Sequence, residues 1–319
     1  MKVIAAFFRL IRWPNIFFII LTQVLFYYCI LVPSFLGPVA EGLDTINPKL
    51  SPELFGWLVL SSVCIAAAGY IINDYFDLNI DQVNKPDAIV VQRYIRRRWA
   101  IVWHLVLSLT GVVLAFYISW RLGNPVIGLA NFACVLLLWF YSTTLKKQLL
   151  IGNVVISLLT AWVILVIYFA EFSVFRLTLP GYTSIINSLF KFTMIYSGFA
   201  FIISLIREVV KDLEDREGDA RYGCRTMPIV WGLPVTKMFV FVWMIVLTTA
   251  LVIVQFYGIL KGWWLGALYS ILAVVLPMGA AFIQLKNAHT PTSFHRLSTT
   301  IKWVMLAGIL SMVFFKIYL

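Results

Sequence analysis

Two short segments of this chain carry aspartates at i, i+3 and i+7. N-D-Y-F-D-L-N-I-D, Asn73 to Asp81, holds Asp74, Asp77 and Asp81. K-D-L-E-D-R-E-G-D, Lys211 to Asp219, repeats the spacing with Asp212, Asp215 and Asp219. On a helix these offsets fall within an arc of roughly 60°, so each set puts three carboxylates on one face. The chain has 14 acidic residues, and most of them lie in or beside these two segments. Carboxylate oxygens clustered in this way suit hard cations, and Mg²⁺ shared between carboxylates and substrate phosphates is the usual arrangement. Asn73 adds a neutral oxygen that can join the first shell or orient Asp77.

Facing carboxylate clusters repel one another unless cations and a polyanion lie between them. A diphosphate bridged by Mg²⁺ meets that need, because the metal neutralises charge on a leaving group. Basic side chains would complete the clamp. The candidates are Arg207 and Lys211 beside the second set, Lys146 and Lys147 midway along the chain, and Lys85 and Arg93 after the first set. Arginine offers a bidentate fork to phosphate and lysine a point charge.

The elements that carry these residues must cross a membrane. Hydrophobic residues make up 62% of the 319, charged residues only 12%, and mean hydropathy is +0.93. That composition excludes a soluble domain. The net charge of +11 would point to nucleic acid in a soluble protein. Here basic residues held in cytoplasmic loops beside membrane lipids explain it, and no nucleic-acid partner is expected. The basic start, M-K-V-I-A-A-F-F-R-L-I-R-W, reads as an interfacial stretch leading into the first span, with Trp13 at the headgroup level. The four cysteines are scattered and show neither metal-ligand spacing nor a disulfide framework. His104, His289 and His295 have no partner at metal spacing.

Nine segments are long enough to span, at about 20 residues each. They run approximately over 14–36, 53–72, 99–120, 125–145, 150–171, 184–206, 238–258, 262–284 and 297–317. With the N-terminus inside, 18 Lys and Arg fall in inside segments and five in outside ones; Lys191 and Lys302 lie within spans. The asymmetry predicts a cytoplasmic N-terminus and an outside C-terminus. Four spans separate the aspartate sets, so both reach the cytoplasmic face. The expected architecture is all-α: one integral-membrane domain over 1–319, with nine helices in a bundle. Tyr70, Tyr75, Phe76 and Tyr141 lie near the expected site, where aromatic faces would stabilise an allylic cation. A polyprenyl diphosphate suits a site with a polar mouth and an apolar interior.

At these residues the chain resembles the UbiA superfamily of membrane prenyltransferases. N-D-x-x-D-x-x-x-D is matched by Asn73, Asp74, Asp77 and Asp81. The second motif is matched by Asp212, Asp215 and Asp219. R-E-V-V-K-D-L-E-D-R-E-G-D followed by R-T-M-P-I-V-W-G is typical of the family. R-W-P-N (Arg12 to Asn15) and Y-S-T-T-L-K-K with G-N (Tyr141 to Lys147, Gly152, Asn153) match recurring positions. The resemblance implies an all-helical bundle around a central cavity open laterally to lipid, two Mg²⁺ ions, a polyprenyl diphosphate donor and loss of diphosphate. It adds Asn15 and Tyr141 to the substrate-binding candidates. The motifs look most like the digeranylgeranylglyceryl phosphate synthase and chlorophyll synthase branches. Those usually continue R-P-I-P-S-G; this chain reads D-A-I-V-V-Q-R-Y from Asp87 to Tyr94, which removes an expected arginine.

The leading expectation is transfer of a polyprenyl group, such as geranylgeranyl, to a lipid-type acceptor such as geranylgeranylglyceryl phosphate. An aromatic quinone-precursor acceptor is the alternative. A membrane diphosphatase would share the metal site, with water as acceptor. A secondary transporter fits poorly, because the acids sit at one face rather than at mid-membrane.

Overall fold

The computed structural model describes residues 2–40, 46–84, 86 and 89–318. Lys85, a substrate-binding candidate, lies outside the described residues, as do Glu41, Asp44 and Asp87.

A short helix, α1 (Lys2–Leu10), precedes the first span. Arg12 then takes a left-handed conformation at φ 52°, a region that disfavours a side chain with Cβ. The chain turns there into α2 (Trp13–Phe26), with Pro14 in its first turn, where the missing N–H is tolerated. A π turn at Tyr27–Leu31 joins α2 to α3 (Val32–Ala40). There follow α4 (Pro52–Asn84), α5 (Arg97–Leu122), α6 (Pro125–Thr143), α7 (Ile151–Glu171) and α8 (Tyr182–Arg221). The short α9 (Met227–Val230) leads to α10 (Gly232–Leu260). A second π turn, Ile271–Val275, joins α11 (Trp264–Ser270) to α12 (Leu276–Asn287). The chain closes with α13 (Pro291–Leu310) and α14 (Phe315–Tyr318).

Among the described residues, nine helical stretches are long and apolar enough to cross a bilayer. The chain is an integral, multi-pass membrane protein with an all-helical fold. The tight turn expected between the third and fourth spans is present. Gly123 closes α5 at φ 58°, and Asn124 caps α6 by accepting from the Val126 N–H at 3.1 Å.

Two spans differ from the sequence expectation. The second and sixth were expected to end at 72 and 206. As helices they continue to Asn84 and Arg221, giving lengths of 33 and 40 residues. Hydropathy marks only the lipid-embedded part. The polar tails stay helical because each keeps a buried stripe, Leu78 and Ile80 on α4 and Val209, Val210 and Leu213 on α8. Both aspartate sets therefore ride on rigid helix ends rather than on loops.

Without water to drive apolar packing, helices in lipid associate through close fit and interhelical hydrogen bonds. Here Gln23 of α2 donates to Ser62 Oγ of α4 and to the Val163 carbonyl of α7, each at 3.0 Å. Ser61 of α4 donates to the Gly111 carbonyl of α5 at 2.7 Å. Trp162 of α7 donates to Asn131 of α6 at 2.8 Å. At the end remote from the aspartates, the fully buried Glu171 accepts from the Lys49 and Leu50 N–H groups at 2.9 and 3.0 Å. Those bonds satisfy a carboxylate that would otherwise be costly to bury.

Candidate active site

The polar tails of α4 and α8 meet. Gly218 donates its N–H to Asn84 Oδ1 at 2.9 Å, and a Cβ on Gly218 would lie 2.2 Å from that same oxygen. Only glycine allows this approach, and it ties the two aspartate-bearing tails together. A second close approach orders the segment after α6. A Cβ on Gly152 would lie 2.8 Å from Lys146 Cα. That contact seats the 3₁₀ turn Leu145–Lys147 against the start of α7. The Lys147 carbonyl also accepts from the Arg225 N–H at 2.7 Å, which ties this turn to the segment after α8.

In the first set, Arg12 Nη2 donates to Asp74 Oδ1 at 2.7 Å. Lys146 Nζ is in direct contact with Asp77 Oδ1. Asn73 Nδ2 donates to the other Asp77 oxygen at 2.7 Å, and Asn73 Oδ1 is buried with no hydrogen-bond partner. In the second set, Asn153 of α7 donates to Asp212 Oδ2 at 2.9 Å. Asp81, Asp215 and Asp219 are half-buried along the same two tails. Glu208, one turn before Asp212, pairs with Lys211 at 2.8 Å and Arg207 at 3.3 Å. Tyr141 of α6 lies within electrostatic reach of Asp77, Asp212 and Glu208, so it sits between the two sets. Arg12 stacks 5.3 Å over Tyr70, and Asn15 lies close to that ring's hydroxyl. Burial opposes the Arg12 charge, yet the adjoining Asp74 carboxylate raises the Arg12 pKa above its ordinary value.

The structure thus gathers Asn15, Tyr141, Lys146, Arg207 and Lys211 around the aspartates. Arg93 is a correction. It lies on the exposed turn at 91–95, stacked on Tyr94 at 5.6 Å, and among the described residues no contact joins it to either set. The turn is closed by the Gln92 N–H donating to Ile95 and the Tyr94 N–H to Val90, which leaves Arg93 outermost. Among the described residues, no three acidic, His or Cys side chains form a ready-made cation cage. The reason is visible in Asp74, Asp77 and Asp212, which are turned toward Arg12, Lys146 and Asn153. The donor set still fits a hard cation. All its ligating atoms are oxygens, and Asn73 Oδ1 is a buried acceptor left without a donor.

Four contributors escaped sequence reasoning: the roles of Arg12 and Asn153 as direct aspartate partners, Glu208, and Asn84. Arg12 and Asn153 lie in recurring motifs, which was the one available signal. Nothing in the spacing marked Glu208 or Asn84.

The fold and motifs have known counterparts. The model for the UbiA prenyltransferase family matches residues 30–306. A digeranylgeranylglyceryl phosphate synthase from Methanosphaera stadtmanae is 28% identical over 80% of this chain and 86% of its own length. One from Thermococcus sibiricus is 30% identical over 77% of this chain and 78% of its own. A solved structure concerning digeranylgeranylglyceryl phosphate synthase in membranes superposes with a TM-score of 0.62 at 22% identity, covering 98% of this chain and 99% of that one. A UbiA homolog from Archaeoglobus fulgidus, solved with GPP and Mg²⁺, gives 0.58 at 13% identity, covering 96% and 99%. At such identities the structures speak to fold alone. The family match, spread over most of the sequence and across both aspartate motifs, is what carries the assignment: this chain belongs to the UbiA prenyltransferase family.

Proposed function

We propose that this membrane prenyltransferase moves a polyprenyl group, geranylgeranyl in the leading case, from its diphosphate to the hydroxyl of a glycerol phosphate lipid. The single observation that carries the reading is the pairing of two aspartate-bearing helix tails through Gly218 and Asn84, with Lys146, Lys211 and Arg207 around them. That arrangement suits a diphosphate at the mouth of an apolar bundle.

Asp74, Asp77 and Asp81 with Asn73 would hold one Mg²⁺, and Asp212, Asp215 and Asp219 a second. Bound Mg²⁺ supplies charge neutralisation on the departing diphosphate. The chain's own residues do the rest. Lys146 exchanges its Asp77 contact for a phosphate oxygen, and Lys211 approaches from α8. As the C–O bond of the donor breaks, the electron pair leaves with the diphosphate. Tyr141 and Tyr70 face the allylic carbon and stabilise its charge. The acceptor hydroxyl oxygen then forms the new C–O bond and gives up its proton to the released diphosphate. The surrounding spans exclude water, which would otherwise make the enzyme a diphosphatase.

The acceptor is tested by offering geranylgeranylglyceryl phosphate and 4-hydroxybenzoate separately with geranylgeranyl diphosphate and Mg²⁺. A single ether product with the lipid, identified by mass, is expected. Ring prenylation alone would overturn the lipid acceptor and keep the enzyme class. Metal-dependent diphosphate release without either product would favour water as acceptor.

The site faces the cytoplasm in this reading, with the N-terminus inside and the C-terminus outside. The support is the basic excess in the segments at that end. A reporter active only in the cytoplasm is expected to work when fused ahead of the N-terminus and to fail when fused after Leu319. An active C-terminal fusion would reverse the reading.

A further inference from the structure

Lys302 sits in α13, eleven residues past Pro291, about 17 Å along the helix. An ammonium inside a membrane span is costly and ordinarily marks a functional site. Among the described residues no carboxylate pairs with it. Its Nζ donates to Asn15 Oδ1 at 3.3 Å and lies 5.4 Å from the Phe18 ring. Arg207, on the facing side of α8, is within electrostatic reach of Lys302. The Arg207 Nε is buried and has no hydrogen-bond partner. Lys302 of α13 and Asn15 of α2 thus meet, and Arg207 of α8 brings an unused guanidinium N–H within electrostatic reach of them.

We propose that Lys302, Arg207 and Asn15 form a second anion subsite, which takes the phosphate monoester of the acceptor lipid. The proposal rests on the glycerol phosphate reading and names how that acceptor is held. Charge supports it. Arg207 and Lys211 share a single carboxylate, Glu208, and Lys302 has none beside it among the described residues, which leaves two positive charges. A phosphate monoester carries roughly −1.5 to −2 at neutral pH, whereas a neutral alcohol would leave the excess unbalanced. Position supports it as well. Arg207 lies five residues before Asp212, about 7.5 Å along α8, a gap that a glycerol unit bridges.

The full-length protein in lipid nanodiscs tests this with two acceptors, geranylgeranylglyceryl phosphate and the phosphate-free geranylgeranylglycerol. Wild type is expected to prefer the phosphate-bearing lipid. Lys302→Met, which keeps the side-chain length, is expected to raise KM for that lipid roughly tenfold or more, with the donor KM unmoved. The preference between the two lipids should collapse toward parity. Lys302→Arg, which restores the charge, should recover most of it. A rise in donor KM with the acceptor KM flat would overturn the proposal and place Lys302 on the diphosphate. Equal losses with both acceptors would also overturn it.

A binding measurement separates this from the function itself. Geranylgeranylglyceryl phosphate, added without donor, is expected to raise the melting temperature of wild type and of Lys302→Arg, but not of Lys302→Met. If no ether product forms yet this shift persists and depends on Lys302, the transfer reading fails and the subsite stands. No shift in wild type sinks the subsite. The ligand-free melting temperature of each variant reports whether it has folded.

Discussion

Asp77→Ala and Asp215→Ala are each expected to lower turnover by roughly a hundredfold or more, since each removes charge from a preorganised electrostatic site. Asp77 has the larger local effect. It holds both the Lys146 ammonium and the Asn73 amide, so its removal frees a cation and a hydrogen-bond donor together. Asp215 lies on the α8 tail, three residues past Asp212, and enters through the second set. Asp74→Ala and Asp212→Ala should fall in the same range, because Arg12 and Asn153 lose their partners. Asn73→Ala should cost less, as it removes one neutral oxygen. Glu217→Ala serves as the control. Glu217 is exposed, pairs with Arg221 at 2.7 Å on the outer side of α8, and should leave turnover at wild type. Initial rates, with melting curves to confirm folding, decide the matter. Wild-type rates in both Asp77→Ala and Asp215→Ala would show that the paired tails are not the catalytic site.

Much of this site is written in local sequence, and the rest depends on distant contacts. The i, i+3, i+7 spacing of the aspartates is a property of one helix, so it can be read without knowing the fold. The same holds for nine apolar runs and for the excess of basic residues at one end. What stayed hidden is tertiary. Arg12 reaches Asp74 across 62 residues, Asn153 reaches Asp212 across 59, and Lys302 reaches Asn15 across 287. No periodicity links such pairs. The left-handed backbone at Arg12 is equally silent, since nothing in I-R-W-P announces a φ of 52°. The length of the two tails is hidden for a related reason. Beyond 72 and 206 the residues turn polar, so hydropathy ends the span there although the aspartate spacing stays helical. The burial of Ile80 and Leu213 against neighbouring helices is what keeps those tails helical. Basic residues show the opposite error. Arg93 looked useful from its position near the first set, and its turn carries it away to solvent.

Stripping divalent cations with EDTA is expected to abolish turnover, and Mg²⁺ in excess of the chelator should restore it. The expectation follows from charge. At 4 Å, two unit charges at a partly screened protein site interact by about 4 kcal/mol, so a diphosphate brought among aspartates is repelled unless cations intervene. Arg12 and Lys146 already stand beside Asp74 and Asp77. They soften that repulsion, but each carries one positive charge where a divalent ion would bring two. Lys146 also touches the same Asp77 carboxylate that a metal would use. The two compete, so the metal should bind weakly to the free protein and more tightly once diphosphate draws Lys146 away. Calorimetric titration of Mg²⁺ should therefore give a lower Kd with a non-hydrolysable diphosphate analogue present than without it. Lys146→Met should narrow that difference by strengthening binding to the free protein. Turnover that survives EDTA after extensive dialysis would remove the divalent cation from the reaction. A Kd indifferent to both the analogue and Lys146 would remove the competition while leaving the requirement for metal intact.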